Sequence, residues 1–205
     1  AFPMAISLEK GKKVNLRKQE KVGLGEILVN LNWNNKPAKK GFLGSLFGGG
    51  SKPIDLDLGC LYELKNGRKG TVQALGNAFG SLQQEPYIAL DGDDRTGAVA
   101  TGENLRIDGN HIADIKRVLV YTYIYEGVAN WQQADAVVTI RYPGAEDLVV
   151  KMDDYQSNQI MCGLVLLENV NDETFSVEKI VQFYRGHQAL DQAFGWGMRW
   201  TPGRK

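Results

Sequence analysis

The chain has 205 residues, of which 43% are hydrophobic and 23% are charged, proportions that are ordinary for a globular domain with a full core. Its 24 acidic and 24 basic side chains balance, so no net charge favours nucleic acid as a partner. No apolar run has the length of a membrane span, and no secretory apolar segment opens the sequence. We expect a single domain over 4–205, with residues 1–3 before Met4 as an artificial extension.

Alternation of apolar and polar residues predicts that β-strands dominate the chain. The first predicted strand, Ile27–Trp33, has an apolar face and an opposite face that carries Asn30 and Asn32. The predicted strands are Ile27–Trp33, Ile54–Leu64, Arg117–Tyr125, Ala136–Tyr142, Leu148–Met152, Ile160–Leu167 and Phe175–Tyr184. Asn66-Gly67 marks a hairpin turn, and a helical pattern is confined to Gly186–Phe194. The sequence therefore predicts an all-β fold, an antiparallel β-sandwich with a few short helical segments.

The second predicted strand places two carboxylates on one face. Leu56 and Leu58 lie on its apolar side, whereas Asp55 and Asp57 share the opposite side. Residues at positions i and i+2 of a strand lie about 7 Å apart and point the same way. That spacing allows the two carboxylates either to hold one cation or to repel each other across water.

Residues 34–53 interrupt the strand pattern. The run Gly48-Gly49-Gly50 predicts a flexible insertion loop between two strands. Within it, residues 41–47 are rich in apolar side chains and follow Lys39-Lys40. These apolar side chains fold back on the sandwich, dock a partner protein or make a peripheral contact with a membrane surface, and the sequence leaves all three open.

Aromatic residues, glycine and arginine are dense between Tyr184 and Trp200. Aromatic side chains can stack on ligands or bases, but the neutral charge of the chain argues against nucleic acid. We expect Trp196 and Trp200 to pack on the edge of the sandwich as a final strand.

Cysteine and histidine residues give no sign of a catalytic site. Cys60 and Cys162 lack metal-type or redox-type spacing, which predicts reduced, buried thiols in a cytoplasmic protein. His111 and His187 stand in no nucleophile motif, so each is interpreted as a structural histidine.

The segment 91–97 is a second acidic cluster. Asp91, Asp93 and Asp94 fall within four positions of a turn-forming sequence, and like charges held this close call for a cation. The loop is not an EF-hand, because Arg95 would take the fifth ligand position and Gly102 the twelfth.

Carboxylates from separate segments can instead converge at one end of a sandwich. The candidate ligands are Asp55, Asp57, Asp91, Asp93, Asp94 and Glu103. Such hard oxygen ligands favour Ca²⁺ over zinc or copper. Two alternatives stay open, namely a solvated acidic turn and a structural ion pair between Arg95 and one of the acids.

Several motifs, in order along the chain, resemble tellurium-resistance TerD-type domains. They are Ile6–Leu16, Leu28–Trp33, Asp55-Leu56-Asp57-Leu58 and Gly92–Gly97, while Ile124–Trp131 and Phe183–Trp200 look closer to the TerA branch. The resemblance implies a β-sandwich without enzymatic activity that binds Ca²⁺ through acidic loops and serves bacterial stress response, including tellurite resistance. By position, Asp55, Asp57, Asp93, Asp94 and Glu103 match acids of the family.

One departure from the family pattern concerns residues 98–102. TerD-type loops carry further acids here, whereas this chain has Ala98-Val99-Ala100-Thr101-Gly102. Fewer acids should weaken calcium binding or remove one of two sites.

We therefore predict a cytoplasmic calcium-binding module with protein partners in a stress-response assembly. The alternative is a metal-free scaffold that acts through residues 41–47 or the C-terminal aromatic segment. A third hypothesis, thiol chemistry on tellurite, would require Cys60 or Cys162 to be exposed.

Overall fold

The computed structural model describes residues 5–21, 23–34, 54–92, 102–126, 130–155 and 158–202. Over these ranges the strands are β1 Ile6–Ser7, β2 Lys13–Asn15, β3 Glu26–Asn32, β4 Asp55–Leu64, β5 Lys69–Gln73, β6 Gly80–Ser81, β7 Ile88–Leu90, β8 Glu103–Asp108, β9 Ile115–Glu126, β10 Val137–Arg141, β11 Leu148–Lys151, β12 Met161–Val170 and β13 Thr174–Tyr184. The α-helices in the same ranges are α1 Trp131–Ala134 and α2 His187–Phe194. Two 3₁₀ segments, Leu75–Asn77 and Gly109–Asp114, lie between strands.

The strands form two sheets that pack face to face. One has the order β1-β11-β10-β3-β8-β7-β6, and the other has the order β2-β13-β12-β9-β4-β5. Neighbouring described strands are antiparallel except β1 and β11, which are parallel. The predicted all-β sandwich and all seven predicted strands are confirmed, with ends that shift by at most three residues.

The main core lies between the two sheets. Alternate residues of β3 and β4, such as Leu31 and Leu58, are fully buried there. Full burial of such a side chain contributes about 1.5–3 kcal/mol. Cys60 and Cys162 are free thiols within this core, as predicted, and burial raises the pKa of Cys60 to about 12.

The hairpin predicted at Asn66-Gly67 joins β4 to β5. Gly67 has a φ of 89°, which glycine adopts without steric penalty. The Asn66 side chain accepts a hydrogen bond from the Arg68 amide at 3.0 Å, and the register that follows pairs Glu63 with Lys69. Local turn chemistry therefore sets the register of this edge.

The C-terminal residues 187–200, here called the C-terminal cover, lie on the outer face of the six-stranded sheet. The expectation of a final edge strand is wrong: the segment is α2 followed by irregular chain. Trp196 is fully buried in a second apolar cluster with Leu61 and Tyr121. The predicted helix at 186–194 is confirmed. The density of aromatic residues correctly predicted that Trp196 is buried. It is buried on the face of the six-stranded sheet and not at its edge.

Asp191 fixes the turn after α2. Gly195 ends the helix at a φ of 65°, and the buried Asp191 carboxylate accepts from the Gly197 and Met198 amides at 2.7 and 2.9 Å. It also accepts from the Trp200 indole at 2.9 Å. One side chain therefore aligns the chain that carries Trp196.

Cationic side chains of the sheet hold the cover in place. The Arg117 guanidinium lies 3.6 Å over the Trp196 ring and donates to the Phe194 carbonyl at 2.9 Å. Its Nε donates to Glu63 at 2.7 Å, and Lys69 Nζ donates to the Trp196 carbonyl at 2.7 Å. These cations also complement the negative end of the α2 dipole.

His187 is the first residue of α2 and packs edge-on against Tyr121 and Tyr123, with ring centroids 5.3 Å apart in both cases. Its Nε2 donates to the Gln73 side-chain oxygen at 2.7 Å, which also accepts from the Tyr121 hydroxyl at 2.6 Å. Burial lowers the pKa of His187 to about 4.

Trp196→Ala should lower the free energy of unfolding by about 3–5 kcal/mol, because a large buried ring is lost and a cavity remains. Urea denaturation measures this change. Ile160→Ala is the control, because Ile160 is 45% exposed and its truncation should cost less than about 1 kcal/mol. Equal losses in the two variants would contradict the anchoring position of Trp196.

His187→Gln should make the protein less sensitive to acid. Because the folded-state pKa of about 4 lies below the ordinary 6.5, the unfolded chain takes up a proton over this range that the folded chain does not. The free energy of unfolding therefore falls as pH drops from about 6.5 towards 4. Denaturation at both ends of this range should show a smaller fall in His187→Gln than in the parent, and an equal fall in the two would contradict the burial of this imidazole.

Candidate metal centre

Asp57 lies on β4 with its side chain on the outer face, opposite Leu56 and Leu58. It is only 3% exposed, and it pairs in register with Tyr123 of β9. The Thr122 hydroxyl donates to the Asp57 carbonyl at 2.9 Å, so the backbone here is tied to the neighbouring strand. The carboxylate therefore occupies a fixed and sheltered position.

Glu103 opens β8 in the other sheet and reaches across to β4. Its Oε2 accepts a hydrogen bond from the Leu58 amide at 2.6 Å. The pairing of β4 with β5 ends at Gly59. Just beyond that end, the Glu103 side chain accepts the hydrogen bond that the Leu58 amide donates. A charge-assisted hydrogen bond of this kind is short and strong.

Tyr123 lies within electrostatic range of both carboxylates. Burial raises the pKa of Tyr123, and the negative charges of Asp57 and then Glu103 raise it further. The structure therefore brings these two predicted ligands, from different sheets, to one end of the sandwich. Sequence reasoning missed Tyr123, although its place in the aromatic strand β9 opposite Asp57 is the signal that marks it.

Asp55 begins β4 and is exposed. It is two residues before Asp57 on the same strand, as predicted, and its register partner is Glu126 of β9. Asp55 is therefore an open carboxylate beside a sheltered one.

Asp91 has a partner that sequence reasoning missed. Arg106 Nε donates to Asp91 Oδ1 at 3.0 Å, and its Nη2 donates to Oδ2 at 3.1 Å. Arg106 also pairs with Glu26 at 2.9 Å. Metal ligation by Asp91 stays a prediction, and it would require the carboxylate to share or exchange this guanidinium.

The remaining predicted ligands, Asp93 and Asp94, lie outside the described residues, as do Arg95 and the acid-poor positions 98–101. Gly102 is described, with a φ of 106°. A Cβ at this position would collide with the Leu31 carbonyl, so glycine is required where the chain enters β8.

Within the described ranges, no three His, Cys, Asp or Glu side chains are grouped to hold a metal ion. Calcium takes six to eight oxygen ligands. Asp57 and Glu103 are therefore at most two of the ligands of a calcium shell, and the described part of the chain does not group Asp55 or Asp91 with them as a third. No described helix has the length and apolar character that crossing a bilayer requires.

Three known proteins are similar in sequence to all or a large part of the chain. It is 43% identical over 201 residues to Tellurium resistance protein TerA from Alcaligenes sp, a match that covers 98% of this chain and 58% of the relative. Tellurium resistance protein TerX from Serratia marcescens is 32% identical over 60% of the chain. Stress response protein SCP2 from Bacillus subtilis (strain 168) is 36% identical over 63%. The matches span 58%, 64% and 65% of these relatives' lengths.

Two solved structures share the fold. A protein of unknown function, SAV2460, superimposes with a TM-score of 0.57 at 14% identity, covering 86% of this chain and 99% of its own. A homologue of telluride resistance protein (TerD) from Streptomyces coelicolor A3(2) gives 0.54 at 17% identity, covering 82% and 95%.

The family model of the TerD domain matches residues 4–184, from the start of the sandwich to the last residue of β13. The matched range contains both sheets and every carboxylate of the candidate centre. The chain belongs to the TerD domain family.

Proposed function

We propose that this chain is a calcium-binding, non-enzymatic module that serves bacterial stress response, including tellurite resistance. The observation that carries the proposal is the Glu103 carboxylate, which crosses between the sheets to the Leu58 amide, next to Asp57. The names of the relatives TerA, TerX and SCP2 support the proposed role in stress response and tellurite resistance.

The electrostatics favour a cation at this end of the sandwich. Two carboxylates lie near one buried phenol, and one of them is almost fully sheltered from water. Sheltering negative charges raises their free energy unless a positive charge is nearby. Calcium, when bound, offsets this repulsion with one divalent charge and prefers hard oxygen ligands.

The proposed ligand set combines described and undescribed residues. Asp57, Glu103 and the exposed Asp55 contribute from β4 and β8, and Asp91, Asp93 and Asp94 contribute from the chain that precedes β8. The acid-poor stretch 98–102 supplies no carboxylate, which favours a single ion. The ion would link the chain between Asp91 and Glu103 to β4. In this way it would fix a surface that a partner protein recognises.

The buried thiols support a non-enzymatic module. Burial raises the pKa values of both Cys60 and Cys162, so neither supplies a reactive thiolate near neutral pH. We propose a cytoplasmic location on the same ground, because free thiols persist in reducing compartments.

Calcium should stabilise the folded chain. At 100 times the dissociation constant, a ligand that binds only the folded state adds about 2.7 kcal/mol to the free energy of unfolding. Thermal melting with calcium and with a chelator measures the shift, and isothermal titration measures the binding. Melting temperatures that coincide, together with no heat of binding, would contradict the proposal.

Glu103→Gln should weaken calcium binding at least about tenfold, or about 1.4 kcal/mol. The amide oxygen can still accept from Leu58, so the stability of the calcium-free chain should fall by only about 1 kcal/mol. Asp108→Asn is the matched control, because Asp108 ends the same strand and likewise accepts from a backbone amide. Equal calcium affinities in the two variants, measured by titration, would remove Glu103 from the ligand set.

A further inference from the structure

Tyr123 carries a buried hydroxyl that the fold itself does not use. The residue is 4% exposed and belongs to the second apolar cluster, with Leu61 and Trp196, on the outer face of the six-stranded sheet. Its hydroxyl makes no hydrogen bond to any part of the chain that the structure describes. Burying a hydroxyl without a hydrogen bond costs free energy, so this group calls for an explanation beyond packing.

The neighbouring backbone does not supply the missing partner. The Leu75 amide approaches the phenol oxygen and partly offsets the rise in the pKa of Tyr123, but the approach lacks the geometry of a hydrogen bond. An amide N–H can in any case only donate. The proton of the Tyr123 hydroxyl therefore has no acceptor among the described residues.

Tyr121, which precedes Tyr123 on the same face of β9, shows the ordinary arrangement. Its hydroxyl donates to the side-chain oxygen of Gln73 at 2.6 Å. Both tyrosine rings pack edge-on against His187 with ring centroids 5.3 Å apart. The two tyrosines therefore share a strand, a face and a packing partner, and they differ in whether the hydroxyl has an acceptor.

The candidate metal centre contains acceptors of the right chemistry close to Tyr123. Asp57 lies directly across from Tyr123 in the pairing of β4 with β9, so the two side chains project from the same face. Glu103 bonds the amide of Leu58, the residue that follows Asp57. Burial, and then the charges of Asp57 and Glu103, raise the pKa of Tyr123, so its hydroxyl keeps its proton at neutral pH. A neutral donor thus lies beside carboxylates that can only accept.

A hydroxyl in this position suits the support of a metal-binding carboxylate. Carboxylates that bind metal ions are themselves held by hydrogen bonds from neighbouring groups, and loss of such a group typically weakens metal binding by about 10–100-fold. A phenol donates a hydrogen bond without adding a positive charge, whereas a lysine or arginine would compete with the ion. The charge state and the place of Tyr123 both fit this role.

We propose that Tyr123 is a positioning residue of the calcium centre, whose hydroxyl donates a hydrogen bond to the Asp57 carboxylate when calcium is bound. The hydrogen bond fixes the orientation of that carboxylate, and Tyr123 is not itself a ligand. This inference rests on the proposed function of calcium binding. It implies that the hydroxyl contributes to the affinity for calcium and not to the stability of the calcium-free fold.

Tyr123→Phe tests the proposal, because it removes the hydroxyl and keeps the ring. In chelator, the variant should unfold at the same urea concentration as the parent or at a higher one, since no hydrogen bond is lost. Isothermal titration should show calcium binding weakened by about 10–100-fold. A structural hydroxyl would give the opposite pattern, with lower stability in chelator and an unchanged affinity for calcium, and that result would overturn the proposal.

Tyr121→Phe is the matched control, since it removes a hydroxyl that does have an acceptor. It should unfold at a lower urea concentration than the parent in chelator and bind calcium with the affinity of the parent. An equal loss of calcium affinity in both variants would overturn the assignment to Tyr123. If the parent binds calcium and Tyr123→Phe binds it equally well, the inference fails and the proposed function stands. If the parent binds no calcium, the proposed function fails and the inference with it.

Discussion

The hydrogen bond between the Leu58 amide and the Glu103 carboxylate is the constraint on which the candidate metal centre depends. It brings a negative side chain of one sheet to the backbone of the other, beside the sheltered Asp57. Backbone geometry, rather than mutual attraction, therefore holds two like charges at one end of the sandwich. In the proposed function a divalent cation offsets that repulsion, and hard oxygen ligands are the reason that we propose calcium.

The C-terminal cover makes β4 a rigid support for this centre. The main core packs on one face of the strand, and Trp196 packs with Leu61 on the other. Burial on both faces limits the movement of Asp57 and Leu58, which a precise binding site requires. The family match ends at residue 184, so the cover lies beyond the part of the chain that the TerD domain model describes. Local support of the centre thus combines the family fold with a segment outside it.

Sequence patterning predicted the long half-buried strands because one apolar face gives a clear period of two, as in β3. It missed β8. The outward residues Asn104 and Arg106 of this strand contact polar side chains of other segments, and such contacts cannot be recognised from the pattern of one segment alone. The placement of Asp57 opposite Leu56 and Leu58 was correct. Its burial could not be predicted, because the alternation gives the face on which a side chain lies but not what packs against that face. Aromatic density likewise predicted that Trp196 is buried, but not on which surface.

A crystal structure of the full chain grown with calcium tests the central claim most directly. The account predicts an ion at the end of the sandwich, with carboxylate oxygens of Asp57 and Glu103 at about 2.3–2.6 Å and further ligands from residues 91–94. Side chains of Asp93 and Asp94 directed into solvent, with no ion between β4 and β8, would contradict it and leave only the membership of the TerD domain family.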